Sequence, residues 1–202
     1  MRRSRTRDGT TGPAERTDRR PRLTVRDYAA RTVGTRRRMR TSGGIGDVAP
    51  WRDFAGAACG ALEFLHQQLG WDVWSVTRVV DDRQVVLHAH PATTLPPGTS
   101  LPWAESFCRL MVSGEAPRAA TVTAAVPEYA ALQPEGGPRV AAYLGVPLVT
   151  ADGELFGTVC AVSFRARPRS ATRDLPLVEL VARMLSTLIA AGMTPPDPVR
   201  RD

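Results

Sequence analysis

The chain contains no lysine. All 27 of its basic residues are arginine, a bias of the kind a GC-rich coding sequence produces, so arginine richness alone says little about chemistry. Cysteine is scarce: Cys59, Cys108 and Cys160 are far apart and never in CxxC spacing. That excludes a disulfide framework and a cysteine zinc site. It fits a reducing compartment, so a cytoplasmic location is expected. No apolar stretch reaches the roughly 18–20 residues that cross a bilayer. The N-terminal arginines precede no apolar core segment, so no secretion signal and no membrane partner are expected. No glycine-rich phosphate loop opens a strand–helix unit, since Gly43-Gly44-Ile45-Gly46 lies in polar chain. No Ser/His/Asp or Cys/His arrangement carries a supporting signature.

What is present is unevenly placed. The 202 residues carry a net charge of +7. Residues 1–40 hold 14 arginines and 4 acidic side chains, and the rest hold 13 and 16. The positive excess therefore belongs to the N-terminus. Residues 1–48 lack apolar periodicity and read as a disordered arginine-rich tail. Such an arm can hold polyanions by counterion release. Apart from Tyr28 no aromatic residue is interleaved in it, so nucleic acid is not an expected partner. Residues 49–192 read as one folded domain and residues 193–202 as a second tail.

Apolar residues at helical spacing predict a first helix over residues 50–69, stopped by Gly70. Residues 72–80 and 84–90 read as strands joined by a turn at Asp81-Asp82-Arg83. A second helix is expected from a cap at Ser100 to Gly114. A short edge strand is expected near residues 117–122, then one helical turn near Glu128. Two apolar runs around Asp152-Gly153 predict a hairpin with a two-residue loop. A last helix over residues 174–191 carries Leu177, Val181, Met184, Leu185 and Leu188 as its stripe. The order describes an α+β fold with a mostly antiparallel sheet.

The two-residue loop sets Val149 opposite Phe156, Gly145 opposite Cys160 and Tyr143 opposite Val162. One hairpin face, with Leu144, Val146, Leu148, Leu155, Val159 and Ala161, suits packing on the terminal helices. The other, with Tyr143, Gly145, Thr158 and Cys160, suits a pocket. On the second helix Trp103, Phe107, Leu110 and Met111 share an arc of about 100°, and Cys108 lies about 60° beyond it. A mainly apolar pocket for a small molecule is therefore expected, bounded by Trp103, Phe107, Met111, Tyr143 and Cys160. Cys108 is its edge, with a chemically quiet thiol, and no side chain fills the space over Gly145. His88 and His90 share a strand face and His66 lies on the first helix, but no acidic pattern supplies the further ligands a metal needs.

Residues 143–164, YLGVPLVTADGELFGTVCAVSF, resemble the closing hairpin of GAF domains. Residues 101–120, LPWAESFCRLMVSGEAPRAA, are similar to the central helix and following strand of that family. The resemblance extends over about residues 50–192. It implies a six-stranded antiparallel sheet with the terminal helices on one face and a pocket roofed by the central helix on the other. It also implies a homodimer through residues 51–69 and 174–191. The expected role is small-molecule sensing or regulation without enzymatic activity, acting in trans on a signalling partner because no output domain follows. A dimerisation or scaffold module is the alternative, with a cysteine-based redox sensor or enzyme behind it. The chain departs from the family's specialised members. It lacks the Asn-Lys-Phe-Asp-Glu motif of cyclic-nucleotide binders and the bilin-attaching Cys-His pair, since Arg109 succeeds Cys108. It also lacks the clustered cysteines of methionine sulfoxide-reducing members. Thr121-Val122-Thr123 stand where many members have an aspartate. The resemblance implies no particular ligand or cofactor.

Overall fold

A computed structural model describes residues 48–133, 139–193 and 195. Nearly all of the two expected tails lies outside the described residues. The chain divides into Met1–Ala49 and Pro50–Asp202. The second unit contains α1 (Phe54–Leu69), β1 (Val73–Val80), β2 (Arg83–His90), β3 (Ser100–Pro102), α2 (Phe107–Val112) and β4 (Ala119–Ala120). Then come α3 (Pro127–Ala131), β5 (Ala142–Val149), β6 (Leu155–Ser163) and α4 (Leu175–Ala190). The six strands form one antiparallel sheet in the order β3-β2-β1-β6-β5-β4, the α+β architecture expected from the sequence.

Local chemistry sets the element ends. Asp53 caps α1 by accepting from the Gly56 N–H at 2.8 Å, so the helix begins at Phe54 rather than near Pro50. Gly70 closes it in the left-handed conformation. The β1–β2 loop is the pair Asp81-Asp82, with φ of 48° and 57°, the conformation of a two-residue hairpin loop. The second helix departs from expectation. Ser100 pairs with Val85 in β3, and Ser106 is the true cap, accepting from the Arg109 N–H at 3.0 Å. That leaves α2 only six residues long, with Trp103 on a 3-10 turn before it.

The closing hairpin has the expected register over most of its length, with Tyr143 opposite Val162 and Gly145 opposite Cys160. It differs near the turn. The loop is three residues, Ala151 to Gly153, with Gly153 at φ 80° and the Thr150 N–H donating to the Glu154 carbonyl at 2.9 Å. Val149 pairs with Leu155 and Leu148 with Gly157, which leaves Phe156 as a bulge. The bulge moves Phe156 to the aliphatic face and takes Leu155 out of that core.

On this face Trp74, Val76, Leu144, Leu148, Phe156 and Val159 pack under both terminal helices. α1 contributes Phe54, Ala58, Leu62 and Leu65, and α4 contributes Val178, Val181, Ala182, Leu185 and Ile189. The buried stripe of α4 is rotated from the expected one: Val178, Ala182 and Ile189 are buried, while Met184 is 50% exposed. The helix is apolar around more than half its girth, so periodicity alone did not select the face that meets the sheet. Beyond β6, Arg167 donates to the carbonyls of Leu69 and Gly70, each at 2.7 Å, and lies 4.8 Å from the centre of the Trp71 ring. The Trp71 indole N–H in turn donates to Asp174 at 2.9 Å. Among the described residues no helix is long and apolar enough to cross a membrane.

At the middle of the sheet Gly157 lies opposite Arg78, and a Cβ there would collide with the Thr77 carbonyl. The Gly157→Ala variant is expected to lose about 1–3 kcal/mol of stability, the usual range for forcing extra atoms into a packed interior. Urea unfolding measures this, and an unchanged midpoint would show that β1 and β6 do not approach so closely.

Candidate functional site

The second face of the sheet is polar at its centre. Ser75 and Thr77 of β1 stand opposite Cys160 and Thr158 of β6. Gln84 of β2 and Tyr143 of β5 extend the patch, and all six side chains are buried. They alternate along the strands with first-core residues such as Trp74, Val76, Val159 and Ala161, so the two-residue period places them on one side. Above them lie Cys108, Leu110 and Met111 of α2 and Tyr129 of α3, forming a second core. The rings of Phe107, Tyr129 and Tyr143 meet with centroids 4.8–5.6 Å apart.

Buried polar groups need partners, and here they converge on one sulfur. The Gln84 amide donates to Cys108 Sγ and to Thr77 Oγ1, each at 3.0 Å. The Thr77 and Thr158 hydroxyls are 2.8 Å apart, and the Thr158 hydroxyl donates to Cys108 Sγ at 3.3 Å. The Tyr143 hydroxyl donates to it at 3.2 Å. The Cys160 sulfur belongs to the same cluster and lies 3.2 Å from Ser75 Oγ. Each hydroxyl has one proton to give. If Thr158 donates to Cys108 it must accept from Thr77, which accepts from Gln84, so the protons run in one direction: Gln84 to Thr77 to Thr158 to Cys108.

A sulfur that only accepts favours the thiolate. Hydrogen bonding, from Cys160 above all, lowers the Cys108 thiol to about 6 against the opposing cost of burial, with Thr158, Tyr143 and Gln84 adding to the effect. Cys160 is held well above its ordinary value, first because its proton is engaged by Cys108 and then by burial. Cys108, with three other donors, is the sulfur whose thiolate these bonds favour. Burial, then the charge on Cys108, also pushes Tyr143 well upward, keeping it a donor.

The six residues singled out from the sequence, Trp103, Phe107, Cys108, Met111, Tyr143 and Cys160, belong to this one cluster, with Trp103 and Phe107 only partly buried. Its arrangement differs from expectation in two respects. Cys108 is 3% exposed and central, not marginal. The helical arc misplaced it by counting Trp103 as part of the helix. The space over Gly145 is also filled: the Tyr143 side chain folds back over it, so a Cβ on Gly145 would strike the Tyr143 hydroxyl. These hydrogen bonds do not favour the quiet thiol expected. Sequence reasoning missed Ser75, Thr77 and Gln84. Their signal was the alternation in Trp74-Ser75-Val76-Thr77, readable only once β1 is known to pair with β6.

Two other features lie outside this cluster. The histidines gather where α1 meets β2, with His66 and His90 ring centroids 4.8 Å apart and Cys59 Sγ 3.6 Å from His88 Nδ1. Burial lowers His88, and burial with the Asp53 charge raises Cys59, so the pair is not an activated thiolate–imidazolium couple. Among the described residues no three His, Cys, Asp or Glu side chains are placed to hold a metal ion. A surface recess of about 300 Å³, lined by Asp72, Ser163 and residues 165–168, shares no residue with the cluster.

A six-stranded antiparallel sheet with terminal helices on one face and a short covering helix on the other defines a fold class that comparison with known proteins resolves. The GAF domain profile matches residues 53–189, and the chain belongs to that family. No curated protein sequence matches it significantly. Among solved structures it is similar to the GAF domain of an Acinetobacter phosphoenolpyruvate-protein phosphotransferase (TM-score 0.58, 16% identity, 73% of this chain and 89% of that one). It is also similar to free methionine-R-sulfoxide reductase from Neisseria meningitidis, solved with its substrate (0.56, 18%, 74% and 86%). A third is the second GAF domain of DevS from Mycobacterium smegmatis (0.51, 16%, 69% and 95%). At these identities the likeness is one of fold.

The thiolate makes a pH-dependent contribution. The folded value of Cys108 lies below the roughly 8.5 of a free thiol, so its stabilisation is complete above that value and is lost as pH falls through about 6. The stability difference between the wild type and Cys108→Ala, measured in urea, should therefore grow from about pH 6 towards roughly pH 8.5. A difference that stays flat would mean that Cys108 is protonated throughout.

Proposed function

We propose that the chain is a regulatory GAF module that senses a small molecule and acts in trans on a signalling partner in the cytoplasm. The observation that carries this reading is the polar floor of Thr77, Gln84, Tyr143 and Thr158 beneath a helix of only six residues. Three of these groups, Gln84, Tyr143 and Thr158, already gather on the Cys108 sulfur of that helix, so a ligand that displaces the sulfur meets a preassembled set of donors. A ligand fitting it carries an acceptor-rich group for those donors and a flat apolar body for Phe107 and Tyr129. Sensory and regulatory proteins carry related domains, and the Neisseria reductase structure holds its substrate. That reductase is an enzyme on this fold. The reading here is regulatory because it rests on the family, whose domains are mostly non-enzymatic.

Native mass spectrometry of the purified full chain should show a bound small molecule. Gln84→Leu, which removes a donor from the floor, should reduce its occupancy by about ten-fold, the effect of one hydrogen bond to a charged or strongly accepting group. A bare chain, with no thermal shift from a panel of carboxylate and phosphate metabolites, would overturn the sensing reading in favour of a scaffold.

The outward faces of the terminal helices support homodimerisation through residues 51–69 and 174–191. Phe64 on α1 is 47% exposed, and Leu180 and Met184, one turn apart on α4, are 53% and 50% exposed. Sedimentation should show a dimer that Met184→Glu dissociates without lowering the melting temperature. Leu185 is unsuited to this test because it is buried in the first core. A wild-type chain that sediments as a monomer at tens of micromolar rules the interface out.

A further inference from the structure

The surface recess beside Asp72 has a charge pattern that the polar cluster around Cys108 lacks. It sits where β1 begins and β6 ends, just past the terminal pair of that ladder, Val73 and Val162. Its volume is about 300 Å³, and its lining is Asp72, Ser163, Arg165, Ala166, Arg167 and Pro168. That is the small end of ordinary ligand sites, so it admits a compact molecule.

The fold fixes the walls. The Arg167 guanidinium donates to the carbonyls of Leu69 and Gly70, each at 2.7 Å, and its backbone N–H donates to the Thr121 carbonyl at 2.9 Å. Asp72 Oδ2 accepts from the Phe164 N–H at 2.8 Å, and the Asp72 N–H donates to Ser163 Oγ at 3.4 Å. Walls held this way need little ordering when a ligand enters. Three polar groups keep capacity to spare. Asp72 retains Oδ1. Ser163 is 2% exposed, and its hydroxyl proton has no acceptor among the described residues. Arg165 is exposed and has no ion pair among the described residues.

These groups differ in sign, and the mixture selects the ligand. A small anion would meet the two guanidinium groups but also the Asp72 carboxylate. A small cation would meet Asp72 but also the arginines. Either ion alone sets like charges side by side, which offsets the favourable contact. A molecule with a carboxylate and an ammonium on the same carbon satisfies both signs at once. The planar fork of a guanidinium matches a carboxylate, and Ala166 and Pro168 leave an apolar wall for a short side chain.

We propose that this recess binds a small free α-amino acid, its carboxylate taken by Arg165 and the Ser163 hydroxyl and its ammonium by Asp72. Arg167 shapes the wall, because its guanidinium is committed to Leu69 and Gly70. The bound molecule ties the start of β1 to the segment that follows β6. The site shares no residue with the Cys108 cluster, so the proposal goes beyond the sensing reading made for that cluster and stands or falls separately from it.

The test titrates the isotope-labelled full chain with L-alanine at neutral pH and follows the backbone amides by NMR. The Phe164 amide is a direct reporter, because it donates to the carboxylate that takes the ammonium. Saturable shifts are expected at Asp72, Ser163, Phe164, Arg165 and Arg167. Acetate and methylammonium each carry one of the two charges and should bind about ten-fold or more weakly, the effect of losing one hydrogen-bonded charge. Arg165→Gln, at an exposed side chain, should weaken alanine binding by about the same factor. Asp72→Asn, which keeps an oxygen for the Phe164 N–H, should do likewise. Inorganic phosphate or acetate that shifts these amides as strongly as alanine would make the recess an anion site and overturn the proposal. So would alanine shifts that fail to saturate by tens of millimolar, or that centre on Gln84, Tyr143 and Thr158 instead.

Discussion

The ladder between β1 and β6 holds the centre of the sheet, and the rest of the molecule is arranged by its parity. Two strands at the middle of a sheet are covered on both faces, so each side chain must suit one core or the other. Trp74, Val76, Val159 and Ala161 point to the terminal helices, and Ser75, Thr77, Thr158 and Cys160 point to α2. A shift of one residue would exchange the two sets and place hydroxyls under α1 and a tryptophan under α2. Gly157 lets the strands come close enough for the register to hold, since a side chain there would meet the Thr77 backbone.

The two cores are built on different principles. The first is aliphatic and aromatic, and its stability scales with the area removed from water. The second interleaves rings with hydroxyls, an amide and two thiols, so its stability depends on each proton having an acceptor. Cys108 ends the chain of donors, and without it Gln84, Thr158 and Tyr143 would each be buried with a bond unmade. Tyr143 reaches that sulfur because residue 145 is a glycine over which its side chain can lie.

Much of the first core was legible in the sequence because it is written in local periods. The alternation of Leu144, Val146 and Leu148 and the helical spacing in α1 each report a buried face. Errors arose where two readings satisfied the same period. Ser100 and Ser106 are both credible caps, and only the pairing of Ser100 with Val85 decides between them. The Asp152-Gly153 signal fits a two- or a three-residue loop, and the choice shifts Phe156 to the opposite face. In α4, Met184 and Ile189 are equally apolar, and the sheet alone selects Ile189 for burial. The polar floor was the least legible part. Gln84 and Cys108 are 24 positions apart and meet at 3.0 Å; no local pattern joins them.

The absence of lysine, uninformative about partners, has one consequence inside the fold. At position 167 the planar guanidinium forks across two carbonyls that the end of α1 leaves open, while its flat face rests on Trp71. Trp71 then reaches Asp174, the last residue before α4. An ammonium would bring the same charge but neither the plane nor the fork. The end of one terminal helix and the start of the other are thereby riveted through a single cationic joint. The end of α1 cannot part from the start of α4 without breaking one of these contacts.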